Sequence, residues 1–418
     1  MLTKLPLLLT ALLPTPALAA PSPTRPAPPR ILVTDQGALP DGKTLNTKSL
    51  QAAIDHAAAT GGATLVFPKG AFLSGALFLK PNVNIELQQG ATLQASKNPA
   101  DFPLLDNVRF EGHFQQHAAS LLNLDRCDHF HLTGPGTLDG NGPAYWKANL
   151  PTGRPRLCEI TNSSDLLIAN VHFQNSASWN LHLYNCQDST IDNCRFEIPD
   201  KSRGPSTDGT DIDSSHNITI QNSFYSVDDD CVCLKGNRYD GLDQSPPSPP
   251  VDNIHILHCT FARGAGALSL GTEATIIRNV EFDHSTVTGK LPMLRIKLRP
   301  DTPGQNYSNI HVHDITLDGA GTVISLEPTH GTKVPPDKAA HGTLSNLTID
   351  SLTGTFASFG SLSGAITTLH DITLRNIHLT LTNSPTLHAD HITRLTLENI
   401  LINNTPFPST PALTVPRD

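Results

Sequence analysis

The sequence predicts an all-β protein: a single-stranded right-handed parallel β-helix (a solenoid) with an N-terminal capping helix. Three observations carry this expectation. Short alternating strings such as DLLIANVHF, STIDNCRF, NITIQNSFY, NIHILHCTF and NIHVHDITL recur along the chain, and alternation with β-branched residues marks strands with one buried face. The strings begin at Asp165, Asp188, Asn217, Asn253, Asn279, Asn309, Asn346 and Asp371, at intervals of 23, 29, 36, 26, 30, 37 and 25 residues. A repeat of roughly 22 residues with variable insertions is the pattern of coils that pair with the coil before and after. Finally, only 16% of the 418 residues are charged while Gly and Pro number 29 and 34, which suits a turn-rich β protein better than a helical one.

The elements follow in order. Lys4 and the apolar stretch LPLLLTALLPTPALA, ending in Ala17-Leu18-Ala19, read as a secretory signal over residues 1–19. The competing reading, a membrane anchor, is opposed by the short length and by Pro6, Pro14 and Pro16. Residues 20–30 form a Pro-rich leader, and 31–418 the solenoid domain. Asn46 or Thr47 can cap a helix whose apolar positions run through LQAAIDHAAAT until Gly61-Gly62 stops it. That helix would cover the open end of the solenoid and hide its strand edges. Length alone would suggest two or three domains; the repeat replaces them with one elongated domain whose core is stacked aliphatics. Asn162, Asn217, Asn306, Asn346 and Asn403 stand in N-x-S/T sequences. They read as turn residues, since Asn tolerates the left-handed region, with glycosylation as the other reading.

The formal net charge of −9 argues against a nucleic-acid partner, which would want a basic face. Export permits disulfides, but the seven cysteines are odd in number and show no C-x-x-C pair or tight Cys/His cluster, so no metal site is expected and buried structural cysteine is the plain reading.

Against this quiet background RGPSTDGTDIDSSHNITIQNSFYSVDDDCVCLKG is dense in Asp. Asp208 lies 21 residues before Asp229 and 22 before Asp230, about one coil, so the three carboxylates should converge on one outer face at roughly 5 Å backbone spacing. Crowded carboxylates push at least one pKa up, and a protonated carboxyl beside an ionised one is what glycoside hydrolysis needs. A calcium site and Asp-rich turns are the alternatives. In Arg295-Ile296-Lys297 alternation puts two cations on one side of a strand. They suit an anionic substrate or, equally, a solvated strand face.

Over roughly residues 31–403 the chain resembles glycoside hydrolase family 28, the polygalacturonase-type enzymes of pectin breakdown. The resemblance rests on GALPDGKTLNTKSLQAAIDHAAATGGATLVFPKGAFLSGALFLKPNVNIELQQGATLQAS, GPGTLDGNG, RPRLCEITN and NSASWNLHL. It rests also on the N-T-D-G block, here Ser206-Thr207-Asp208-Gly209, on Asp229-Asp230-Cys231, and on Arg295-Ile296-Lys297. It implies hydrolysis by single displacement with inversion, needing no cofactor. Asp229 would be the general acid, Asp208 and Asp230 would hold and deprotonate water, and Arg295 and Lys297 would bind a galacturonate carboxylate. The carboxyl separation for inversion would be about 6.5–9.5 Å. The implied partner is a pectic poly- or oligosaccharide met by a secreted or periplasmic monomer with no membrane span once the signal is removed.

Two departures stand out. The family's G-H-G block reads Gly264-Ala265-Gly266, and Ser206 replaces the usual Asn. The missing histidine keeps open a rhamnogalacturonan hydrolase of the same family, or a non-catalytic pectin-binding β-helix. His255, His258, Glu273 and Glu327 are polar residues of unassigned role nearby. Pectate lyases, which share the β-helix but use calcium and an arginine base, fit the Ser-Thr-Asp-Gly and Asp-Asp-Cys blocks less well. The resemblance also implies a Cys231–Cys259 disulfide.

Overall fold

The computed structural model describes residues 28–148, 150, 152–199, 203–236, 249–271, 274–300, 302–327, 341–362 and 367–407. The expected signal, nearly all of the leader, Glu273 and residues 237–248 and 328–340 lie outside the described residues. The first strand is Arg30–Leu32.

The chain winds as a right-handed parallel β-helix, with three strands to each central coil. Thr210–Asp213, His216–Gln221 and Phe224–Ser226 make one coil. Val232–Lys235, Val251–Leu257 and Thr260–Arg263 make the next, each pairing in parallel with its counterpart. The register reproduces the sequence intervals residue by residue: Ile168, Ile191, Ile220, Ile256, Phe282, Val312, Ile349 and Leu374 lie directly above one another. All eight repeat starts, from Asp165 to Asp371, have φ between 51° and 58°. Asn reaches this left-handed region at least cost among side-chain-bearing residues. The Asn amides also link coils: Asn217 donates to Asp188, Asn253 to Asn217, Asn309 to Asn279 and Asn346 to Asn309. The turn reading of the sequon residues therefore describes Asn162, Asn217, Asn346 and Asn403, while Asn306 instead opens a strand without positive φ.

Helix α1 (Thr47–Ala59) buries Leu50, Ala53, Ile54 and Ala57 against the first coils. Neither candidate cap acts as one. The Asn46 side chain bonds to both the N–H and the carbonyl of Leu39, and the Thr47 hydroxyl accepts the N–H of Gly75. Both polar groups fasten the helix to the solenoid instead of closing its own first turn.

The core differs from a purely aliphatic stack. Phe173, Phe196, Tyr225 and Phe261 form a continuous column of stacked rings, with centroids 4.7, 4.8 and 5.2 Å apart and interplanar angles of 17° or less. Offset stacking adds to area burial, and the column is fully enclosed. Phe196→Ala is expected to cost about 3–5 kcal/mol in urea unfolding, because two flanking rings lose a partner and the stiff coils cannot close the gap.

All seven cysteines are free and buried, so the implied Cys231–Cys259 bridge is not formed. Cys259 occupies an inward corner, its N–H bonded to Ser285 Oγ, as Cys127, Cys186 and Cys194 bond Ser163, Ser215 and Ser223. Cys231 stands at the far end of the intervening strand, its thiol on the carbonyl of Arg263. Four strand residues at ~3.3 Å each separate the two positions, too far for the ~4.4–6.8 Å between bridged Cα atoms. Burial pushes the Cys259 thiol up to about 12. No helix among the described residues is long and apolar enough to cross a membrane.

Candidate active site

One face of the solenoid presents outward-pointing residues from successive coils. The ladder Cys158–Leu181–Thr210–Val232–Leu268–Leu294 fixes that face. Alternation then aims Glu159, His182, Asp211, Cys233, Ser269 and Arg295 outward in one column.

Asp208 precedes its strand, and the backbone holds it there. Asn180 donates both its backbone N–H and its side-chain amide to the Asp208 carbonyl, at 2.9 and 2.8 Å. Gly209 donates to the Asp230 carbonyl at 2.9 Å. A Cβ on Gly209 would stand 2.5 Å from the carbonyl of Cys231 and 2.6 Å from the Tyr225 ring. The glycine is therefore what lets Asp208 approach its neighbours. Ser206 has φ 54°, a region that favours Asn, which explains the residue usual in the family block.

The coil arithmetic places the carboxylates correctly. One oxygen each from Asp208, Asp229 and Asp230 lie within 4.8 Å of one another. These are the nearest oxygens of carboxyls carried on adjacent coils. The Asp229 carboxyl is partly exposed and accepts the N–H of Asp230 at 3.0 Å. Asp230 is enclosed. Ser269 Oγ donates to it at 2.6 Å, Arg295 at 3.2 Å and Lys297 Nζ at 2.5 Å.

These surroundings split the acids. Burial and the adjacent Asp230 charge push Asp229 up. Burial, with Asp211 and Asp229 nearby, pushes Asp208 up strongly. Burial would also raise Asp230, but Lys297 and Arg295 outweigh it and hold that carboxyl well below the usual carboxylate range. A carboxyl held low beside one pushed up is the pairing that acid–base hydrolysis uses. The three oxygens are close enough to chelate a cation, but Lys297, Arg295 and Lys235 already neutralise the cluster.

Arg295 and Lys297 share one side of their strand, as expected, yet both face Asp230. Arg295 also bonds both oxygens of Glu327, at 2.8 and 3.2 Å, which gives that residue its place. The Arg295 side chain remains 17% exposed, against 6% for Lys297. Lys235, Asp211, Ser269 and Asn180 belong to the site although they were not singled out from the sequence. Lys235 Nζ is 3.8 Å from Asp208 and 3.5 Å from Asp211, and alternation within Val232–Lys235 was the available signal. Ala265 donates its N–H to the Asp229 carbonyl oxygen, so it lies beside the acid but brings only a methyl group. His255 is remote, bonded to Asp283 on another face.

A hairpin of Leu104–Phe110 and His113–Ala118 packs on Trp179, Tyr184 and Asp213. Its Arg109 is enclosed, bonding Asp213 at 2.9 Å and the Gly236 carbonyl at 2.7 Å. Phe110 stacks on Trp179 at 5.0 Å and 8°, and Arg156 Nη2 donates to the Arg109 carbonyl. Glu159, His182, Asp211 and Asp213 are buried beneath.

Comparison with known proteins agrees with this picture. The family model of Glycosyl hydrolases family 28 matches residues 76–396, and a model described as Rhamnogalacturonase A/epimerase, pectate lyase-like, matches residues 31–116. A probable polygalacturonase of Vitis vinifera is 33% identical over 300 residues, which cover 68% of this chain and 60% of that protein. A polygalacturonase of Gossypium hirsutum is 25% identical over 405 residues, 92% of each chain. The structure of a hyperthermoactive exopolygalacturonase from Thermotoga maritima superposes with a TM-score of 0.77 at 21% identity, covering 91% of this chain and 94% of that one. With the fold, the ordered motif blocks and a family match over most of its length, the chain belongs to glycosyl hydrolase family 28 and is a glycoside hydrolase acting on O-glycosyl bonds.

Proposed function

We propose that the protein hydrolyses the galacturonan backbone of pectin, attacking from a chain end. The observation that carries the chemistry is the split within one cluster between Asp229, pushed up by burial and by Asp230, and Asp230, held low by Lys297 and Arg295. Asp229 donates its proton to the leaving glycosidic oxygen. Asp230 takes a proton from the attacking water, which Asp208 helps to hold. Arg295, still reachable from the groove, grips the substrate carboxylate, and Lys297 offers its remaining N–H groups beside it. Inversion at the anomeric carbon is part of the proposal. Proton NMR of the first product tests it, and an anomer matching the cleaved bond would exclude it.

Relatives named as polygalacturonases, over up to 92% of the chain, support a galacturonan backbone. They favour it over the rhamnogalacturonan and binding-only readings. Chain-end attack is supported by the hairpin, which packs on Trp179, Tyr184 and Asp213 next to the coil that carries Asp208. Exopolygalacturonases of Zea mays are among the relatives, at 27% identity. Export by residues 1–19 and action as a monomer outside the cytoplasm complete the proposal, motivated by the Lys4–Ala19 pattern.

The test is a reducing-end assay on polygalacturonate, rhamnogalacturonan and their oligomers with product lengths resolved. Release of one short product with little early fall in viscosity is expected on polygalacturonate. Silence on every substrate would exclude the hydrolytic reading, and mid-length oligomers from the start would exclude chain-end attack alone. Arg109→Ala should shift products towards longer oligomers as the hairpin lifts. Removing one member of a buried pair also costs about 3–5 kcal/mol of stability.

A further inference from the structure

We propose that Glu281, His311 and His313 form a binding site for a divalent transition metal of the zinc class, on a face of the solenoid separate from the carboxylate groove. The ladder makes the site. Glu281 pairs in register with His311, and Asp283 with His313. Two ligand positions on one coil therefore lie directly above two on the next, on rigid strands. One ligand atom from each of Glu281, His311 and His313 lies within 4.8 Å of the others. Zinc bonded at ~2.0–2.2 Å with tetrahedral geometry needs ligands about 3.3 Å apart, which small side-chain rotations supply.

Two further observations point to a ligand and not merely to a polar surface. The first is the hydrogen bonding of His313. Its Nδ1 is bonded to Asp314 at 2.7 Å, which leaves Nε2 to face Glu281 at 3.0 Å and Asp283 at 3.7 Å. A carboxylate that fixes one imidazole nitrogen while the other turns to the ion is the usual outer support of a metal-bound histidine. The second is His311, whose Nε2 is shut off from solvent and has no hydrogen-bond partner. An unbonded enclosed nitrogen is costly, and a metal bond would remove that cost. The two rings lie 4.2 Å apart. His255, bonded to Asp283 at 2.6 Å, borders the site on the preceding coil.

The bound ion would add a coordinate link between two coils that the backbone ladder, the Asn309–Asn279 bond and the His313–Glu281 contact already join. Its effect falls on stability, because none of its ligands touches the carboxylate groove.

The experiment uses the untagged full chain stripped with chelator and titrated with Zn²⁺, with Ca²⁺ and Mg²⁺ as controls. One equivalent of Zn²⁺ should bind. The melting temperature should rise by about 3 °C at a hundredfold excess over Kd, with no rise for Ca²⁺ or Mg²⁺. His311→Ala and His313→Ala should each abolish the shift, and Asp314→Asn should weaken binding about 10- to 100-fold. Glu281→Gln, on a half-exposed side chain, is the alternative variant should a histidine change prevent folding. Co²⁺ should give tetrahedral absorption bands that disappear in the variants. Absence of Zn²⁺ binding by the parent chain, or binding unchanged in the His311 and His313 variants, overturns the proposal.

Discussion

Asp229→Asn is expected to lower kcat on polygalacturonate by about 10²- to 10⁴-fold while KM stays near its parent value. Asp229 is the one member of the cluster that is partly exposed, and its carboxyl accepts the N–H of Asp230. Asn preserves that acceptor and the side-chain volume, so the lost quantity is the transferable proton. The pH profile carries the sign. Burial and Asp230 raise Asp229, so activity falls as pH climbs through that raised value and the acid form empties. On the acid side the limit is Asp230, held low by Lys297 and Arg295, so activity persists below the range where an ordinary carboxylate would protonate. The carboxyls titrate as a coupled set, and the limbs belong to the cluster rather than to single residues. The residual activity of Asp229→Asn should lack the high-pH limb. Parent-like turnover, or an unchanged limb, would remove Asp229 from the acid role.

Much of this was legible in the sequence, for a specific reason. In a solenoid the residue one coil away is also the neighbour in space, so sequence intervals become distances. That arithmetic brought Asp208 to Asp229 and Asp230 and put Arg295 and Lys297 on one side of a strand. The same arithmetic, applied further, reaches features that were passed over. Phe173, Phe196, Tyr225 and Phe261 are separated by 23, 29 and 36 residues, the coil intervals themselves; low aromatic content hid a column that needs only one ring per coil. Glu281 and His311 are one coil apart, yet a search for metal ligands close together in the chain finds no cluster. Other features have no interval to read. Arg109 meets Asp213 from 104 residues away through a hairpin outside the repeat. The Cys231–Cys259 pairing came from family resemblance, whereas corner position, which decides reach, depends on where each strand starts and stops.

Asp230→Asn should damage stability as well as turnover, and the two losses are separable. Lys297 is 6% exposed and its ammonium lies 2.5 Å from Asp230. Without the carboxylate it becomes a buried charge facing an amide, a situation worth about 3–5 kcal/mol of destabilisation and about 3–6 °C in Tm for a chain of this size. The folded-state pKa of Asp230 is depressed from 3.8. Its stabilisation is therefore fully present above about pH 4 and lost as pH falls towards the folded value. The stability gap between parent and Asp230→Asn should be widest near neutrality and should close in acid, where both side chains are uncharged. Lys297→Met added to Asp230→Asn removes the stranded cation while keeping most of the side-chain length. The double variant should regain part of the lost stability, with a coupling of about 0.5–3 kcal/mol, and remain inactive because the ionised carboxylate is still missing. Asp230→Asn also removes the 3.2 Å contact with Arg295, but Arg295 keeps Glu327, so the part regained on adding Lys297→Met reports the ammonium. A double variant no more stable than Asp230→Asn alone would mean that Ser269 and backbone packing, not the ammonium, hold Asp230 in place, and that its low pKa has another source.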